Sequence, residues 1–104
     1  MSIISKIVYS GVDFVIGGFL LFIAPRVGDS DIMAFWLIGI GVMTMLKATL
    51  PPDSMLAKVF YGGTDILIGL FMLSNAQSLG DPAGAFGGVL LLRSGATAAG
   101  LIID

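Results

Sequence analysis

The chain contains no cysteine and no histidine. Disulfides, thiolate or imidazole metal ligands, and Ser-His-Asp or Cys-His catalysis are therefore excluded. Charge is scarce as well: Asp, Glu, Lys and Arg make up 12% of the residues, about half the share found in ordinary globular domains. Five basic residues stand against seven acidic ones, for a net charge of −2 and a pI near 4.6. That balance offers no basic footprint for a nucleic acid. What is present is apolar, at 57% of the residues with a mean hydropathy of +1.04. A chain of 104 residues has room for about four spans of some twenty residues and almost nothing else. The expected class is an all-α, multi-pass integral membrane protein of one domain. No cofactor and no metal are expected.

Four apolar stretches can be read: 3–24, 32–50, 55–75 and 83–103. Ala24-Pro25-Arg26 closes the first, because proline cannot continue a helix, and Gly28-Asp29-Ser30-Asp31 follows as a turn. Pro51-Pro52-Asp53-Ser54 closes the second. Leu79-Gly80-Asp81-Pro82 closes the third, with Pro82 suited to the first turn of the next helix. Three stretches carry a central charge: Asp13, Asp65 and Arg93. A central charge costs about 3 kcal/mol on insertion, and each large aliphatic or Phe returns roughly 0.5. The first stretch recovers about 6 kcal/mol on that scale and inserts in spite of Asp13. The last recovers about 4 and needs a partner for Arg93. Lys6, Lys47 and Lys58 cluster at the N-terminus and the central loop, which places both termini on the cytoplasmic side of the cell membrane. Phe35 and Trp36 fit an interfacial belt at the outer end of the second helix.

The strongest signal is internal. Aligning Lys6–Leu21 with Lys58–Leu73 at an offset of 52 pairs Lys6/Lys58, Tyr9/Tyr61, Gly11/Gly63, Asp13/Asp65, Ile16/Ile68, Gly17/Gly69, Phe19/Phe71 and Leu21/Leu73. The chain reads as two tandem two-helix hairpins, residues 1–52 and 53–104. An even number of crossings per copy makes them parallel repeats about a pseudo-two-fold axis along the membrane normal. Asp13 and Asp65 are then expected at one depth near the midplane. Tyr9, Asp13 and Gly17, like Tyr61, Asp65 and Gly69, follow at i, i+4 and i+8 on one helix face. The second helices align poorly at an offset of 51, where Phe35 meets Phe86 and Leu50 meets Leu101. On that register Arg93 has no counterpart, and Lys47 lies near a helix end where it can snorkel to the surface. Two acids would share one midplane cation. The acid left over is costly as an anion and is expected to be protonated unless water or a cation reaches it.

The polar set Asp13, Asp65, Arg93, Tyr9 and Tyr61 has two readings. It pins helix register as a buried network, or it binds and relays a proton or cation. Hydroxyls that would extend a relay are few: Ser10, Thr44 and Thr64. The fourth helix is rich in small residues, with Gly84-x-x-x-Gly88 and Gly95-x-x-x-Ala99. Such faces, together with Gly17 and Gly69, allow helices to approach closely in lipid. The expectation is a non-catalytic membrane subunit that packs through these faces into a homo-oligomer or a larger membrane complex, filaments and virions included. The alternative is a small proton- or cation-coupled transporter or channel. Its partners are the bilayer, further copies of itself or larger membrane proteins, and no nucleic acid.

Overall fold

The computed structural model describes residues 3–27, 31–50 and 54–100, and every element in them is helical. In chain order these are α1 (Ile3–Lys6), a π-helical turn (Ile7–Gly11), α2 (Val12–Val27), α3 (Asp31–Lys47), α4 (Met55–Ser74), the single turn α5 (Ala76–Leu79) and α6 (Asp81–Ala99). The chain divides into two compact units. One is Tyr9–Pro51, in which α2 packs on α3; the other joins Met1–Val8 to Pro52–Asp104, with α4 packed on α6. The division falls inside the π turn of the first helical run, so that run contributes to both units. Ile3–Arg26 and Met55–Ser74 are long and apolar enough to cross a membrane. Ile32–Lys47 is apolar but shorter.

The helix ends follow from local chemistry. The Ser54 hydroxyl accepts from Ala57 N at 3.1 Å and caps the start of α4. At the other end Asn75 Nδ2 donates to the Phe71 carbonyl at 2.9 Å. Pro82 lies in the first turn of α6, with Asp81 beside it to complement the positive end of the helix. Gly100 ends α6 in the left-handed region, at φ 71°, with its N–H directed to the Ala96 and Thr97 carbonyls.

Three expected boundaries need correction. Pro25 does not stop the first helix, which runs on to Val27. Proline in this final turn loses its own helical donor and crowds the carbonyl four residues back, and the helix continues only two residues beyond it. Here the Arg26 guanidinium caps that turn, donating to the Phe22 carbonyl at 2.6 Å while lying 3.9 Å over the Phe22 ring. The second helix ends at Lys47 rather than Leu50, because residues 48–50 wind into tighter turns such as Leu50 N to Lys47 O. The fourth helix starts two residues early, at Asp81, with Pro82 in its first turn. The turns expected at 28–31 and 51–54 fall largely on residues 28–30 and 51–53, outside the described residues, as does the expected helix end at 101–103.

Candidate functional site

In each unit, packing begins with a glycine against a glycine. In the α2–α3 unit, a Cβ on Gly17 would stand 3.0 Å from the Gly41 carbonyl oxygen and 2.7 Å from Met45 Cγ. One on Gly41 would meet Leu21 Cγ at 2.9 Å and the Gly17 oxygen at 3.3 Å. In the α4–α6 unit, a Cβ on Gly69 would stand 3.0 Å from the Gly87 oxygen and 3.1 Å from Leu91 Cγ. One on Gly87 would meet the Gly69 oxygen at 2.8 Å and Leu73 Cγ at 2.9 Å. Such contact of backbones needs glycine on both sides, and it brings the adjoining turns of the two helices into reach of one another.

The seam that results is polar at one end. On α4 the buried residues are Tyr61, Asp65, Ile68, Gly69 and Met72; on α6 they are Ala83, Gly87, Leu90, Arg93, Ser94 and Thr97. One helical turn before the Gly69 crossing, Arg93 closes on Asp65. Its Nε donates to Oδ2 at 2.8 Å and its Nη2 to Oδ1 at 2.6 Å, both side chains being almost entirely buried. The planar fork thus matches both carboxylate oxygens. Nη1 donates to the Val8 carbonyl at 3.1 Å, in the π turn, where the altered backbone spacing commonly marks working sites. The guanidinium carbon lies 5.4 Å from the centre of the Tyr61 ring, within cation–π range. Ser94 Oγ donates to the Gly62 carbonyl at 3.0 Å.

The α2–α3 unit buries its own polar set. Tyr9 and Asp13 have no exposed surface, and Thr44 and Lys47 are 1% exposed. Burial of Lys47 corrects the expectation that it snorkels. The Gly17–Gly41 contact holds α3 so close that Leu37, Gly41, Thr44, Lys47 and Ala48 all face inward. The premise of one cation for two acids falls with it: among the described residues Asp13, Asp65, Lys47 and Arg93 are buried, two of each sign.

The expected packing residues divide into two groups. Gly17 and Gly69 make the close approaches, whereas nothing lies within 4 Å of a Cβ placed on Gly84, Gly88 or Gly95. Ala99 is exposed and lines an open groove of about 400 Å³ between α4 and α6, with Lys58, Val59, Gly62 and Ile66. The residues that face Gly17 and Gly69, Gly41 and Gly87, carried a weak sequence signal. Gly-x5-Lys over 41–47 and Gly-x5-Arg over 87–93 is the spacing that would have found them, together with Lys47. Among the described residues no group of three or more His, Cys, Asp or Glu side chains is placed to hold a metal.

No family model, curated protein or solved structure matches the chain. A guanidinium held by two carboxylate oxygens and a backbone carbonyl is a clamp, with one donor on each of its three nitrogens committed. The threonines near the seam are committed too: Thr44 Oγ1 donates to the Ile40 carbonyl at 2.8 Å and Thr64 Oγ1 to the Phe60 carbonyl at 2.7 Å.

Proposed function

We propose that this chain is a small, non-catalytic integral membrane subunit. In this reading a duplicated two-helix unit gives four membrane crossings, α1–α2, α3, α4 and α6, with both termini cytoplasmic. Charged clasps hold the hairpins shut, and open small-residue faces join the protein to further copies or to larger membrane proteins.

The observation that carries the reading is the inverted placement of polarity. Asp13, Lys47, Asp65 and Arg93 are buried, while Phe14, Phe22, Phe35, Trp36, Leu67 and Leu92 are each at least half exposed. Water would favour the opposite arrangement, and large exposed apolar faces mark surfaces meant for lipid or protein. Recurrence of the glycine crossing in both units supports the duplication, alongside the sequence repeat over Lys6–Leu21 and Lys58–Leu73.

The test is assembly. Gly84→Leu and Gly88→Leu add bulk where the chain itself has open space, so the fold should persist while the oligomer or complex dissociates. Mass measurement in detergent reads the result. Unchanged assembly in both variants would refute packing through this face.

A transport reading draws on one observation, a fully buried carboxylate in each unit. It is the weaker reading because Arg93 holds both oxygens of Asp65. Proton- or potential-driven flux in vesicles that vanishes in folded Asp13→Asn or Asp65→Asn protein would reverse the order.

A further inference from the structure

We propose that Lys47 is the buried counter-ion of Asp13, so that the Tyr9–Pro51 unit is closed by an acid–base clasp of its own. This deepens the reading of the polar residues as hairpin fasteners, and it rests on that reading.

Register pairs the two residues. In the α4–α6 unit the acid lies four residues before the first glycine of the crossing (Asp65, Gly69), and the base six residues after the second (Gly87, Arg93). The α2–α3 unit repeats both intervals: Asp13 precedes Gly17 by four, and Lys47 follows Gly41 by six. The leucines and long apolar side chains seated on the glycines correspond as well, Leu21 to Leu73 and Met45 to Leu91. Shifting the buried residues of α3 by 46 turns Leu37, Gly41, Thr44, Lys47 and Ala48 into Ala83, Gly87, Leu90, Arg93 and Ser94, every one of which is buried. An offset of 52 does the same for the first helices, carrying Tyr9, Asp13, Ile16, Gly17 and Leu20 to Tyr61, Asp65, Ile68, Gly69 and Met72. The second helices are thus related by 46 and not by 51 or 52, the connection within the second hairpin being six residues shorter. On this register Arg93 has a counterpart, and it is Lys47.

Burial supplies the energetic reason. Asp13 has no exposed surface and Lys47 is 1% exposed. Neither charge is tolerable there without an opposite one, and both side chains take part in contacts. The two clasps differ in kind. A guanidinium presents a fixed fork to both carboxylate oxygens, whereas an ammonium is a compact point charge on a flexible stem.

The experiment is a pair of double-mutant cycles on the full chain in detergent, read by the thermal unfolding midpoint. Asp13→Asn and Lys47→Met are each expected to lower the midpoint by leaving one charge buried alone, and the double variant to recover at least half of the larger loss. Asp65→Asn and Arg93→Met form the reference cycle. Coupling in both cycles supports the inference. Coupling at Asp65–Arg93 with simple additivity at Asp13–Lys47 overturns it and leaves the fastener reading standing. Additivity in both overturns the two together. Should the Asn and Met variants fail to fold, Lys47→Arg decides. A cation retained at 47 should keep a folded protein near the wild-type midpoint, and a Lys47→Arg protein as damaged as Lys47→Met would refute the pairing.

Discussion

At the level of single residues, the Arg93–Asp65 clamp makes each partner costly to remove alone. With both side chains almost without exposed surface, deleting one strands the other charge, a loss of about 3–5 kcal/mol in comparable buried pairs. Arg93→Met and Asp65→Asn should therefore each unfold at markedly lower denaturant than wild type in a detergent titration. Arg93→Lys keeps the charge but loses the fork, and with it one carboxylate bond and the bond to the Val8 carbonyl. Its loss should be smaller, roughly 1–3 kcal/mol, and a wild-type titration for Arg93→Lys would show that bidentate geometry is not what stabilises the seam. Asp65 and Arg93 were visible in the sequence because a charge within an apolar stretch demands a partner. Lys47 was not, because a lysine near a helix end is normally free to reach water, and only Gly41, six residues before it at the crossing with Gly17, decides otherwise. The Val8 carbonyl could not be read at all: a backbone acceptor has no residue type, and the π turn that presents it has no signature in Ile7–Gly11.

At the level of helices, the glycines separate into those that carry backbone contact and those that face open space. Gly87→Ala would place a methyl 2.8 Å from the Gly69 carbonyl oxygen. Neither backbone can yield without parting the helices, so a destabilisation of about 1–3 kcal/mol is expected from overpacking. Gly84→Ala and Gly88→Ala meet nothing within 4 Å and should unfold at or above the wild-type midpoint, since alanine is the better helix former by up to about 1 kcal/mol. Equal effects at 84, 87 and 88 in a thermal melt would contradict the packing described here. Small-x-x-x-small spacing identifies residues that share a face, but it does not say which face a neighbour covers. For this reason 84, 88, 95 and 99 stood out in the sequence, while the contact runs through 87. The same limit explains the second-helix register. Phe35/Phe86 and Leu50/Leu101 match apolar residues alone, whereas the burial pattern sets Gly41 beside Gly87 and Lys47 beside Arg93.

At the level of the whole molecule, the helical class and the boundaries near 3, 32, 55 and 75 were legible because apolar stretches stand between polar, proline and capping residues. The number of crossings is the larger question. By length and composition two helices qualify, Ile3–Arg26 and Met55–Ser74. The 17 residues of α3 and 19 of α6 reach about 25 and 28 Å, just short of a hydrocarbon core of about 30 Å. A deficit of that size is met by local thinning of the bilayer at modest cost, and the charge of Arg93, which lowers the apparent hydropathy of α6, is already neutralised by Asp65. Four crossings are therefore the expected topology, and the absence of native cysteine permits a clean test with single thiols. With four crossings and a cytoplasmic N-terminus, Ser54→Cys faces the cytoplasm and Ser78→Cys the outside. If only the two long helices crossed, with the same N-terminus, the first would return the chain to the outside at 54 and the second would bring 78 in, exchanging the two positions. An impermeant maleimide added to intact cells should label Ser78→Cys and spare Ser54→Cys until the membrane is opened. Labelling of Ser54→Cys alone in intact cells would reduce the protein to two spans and leave α3 and α6 to be explained without a bilayer around them.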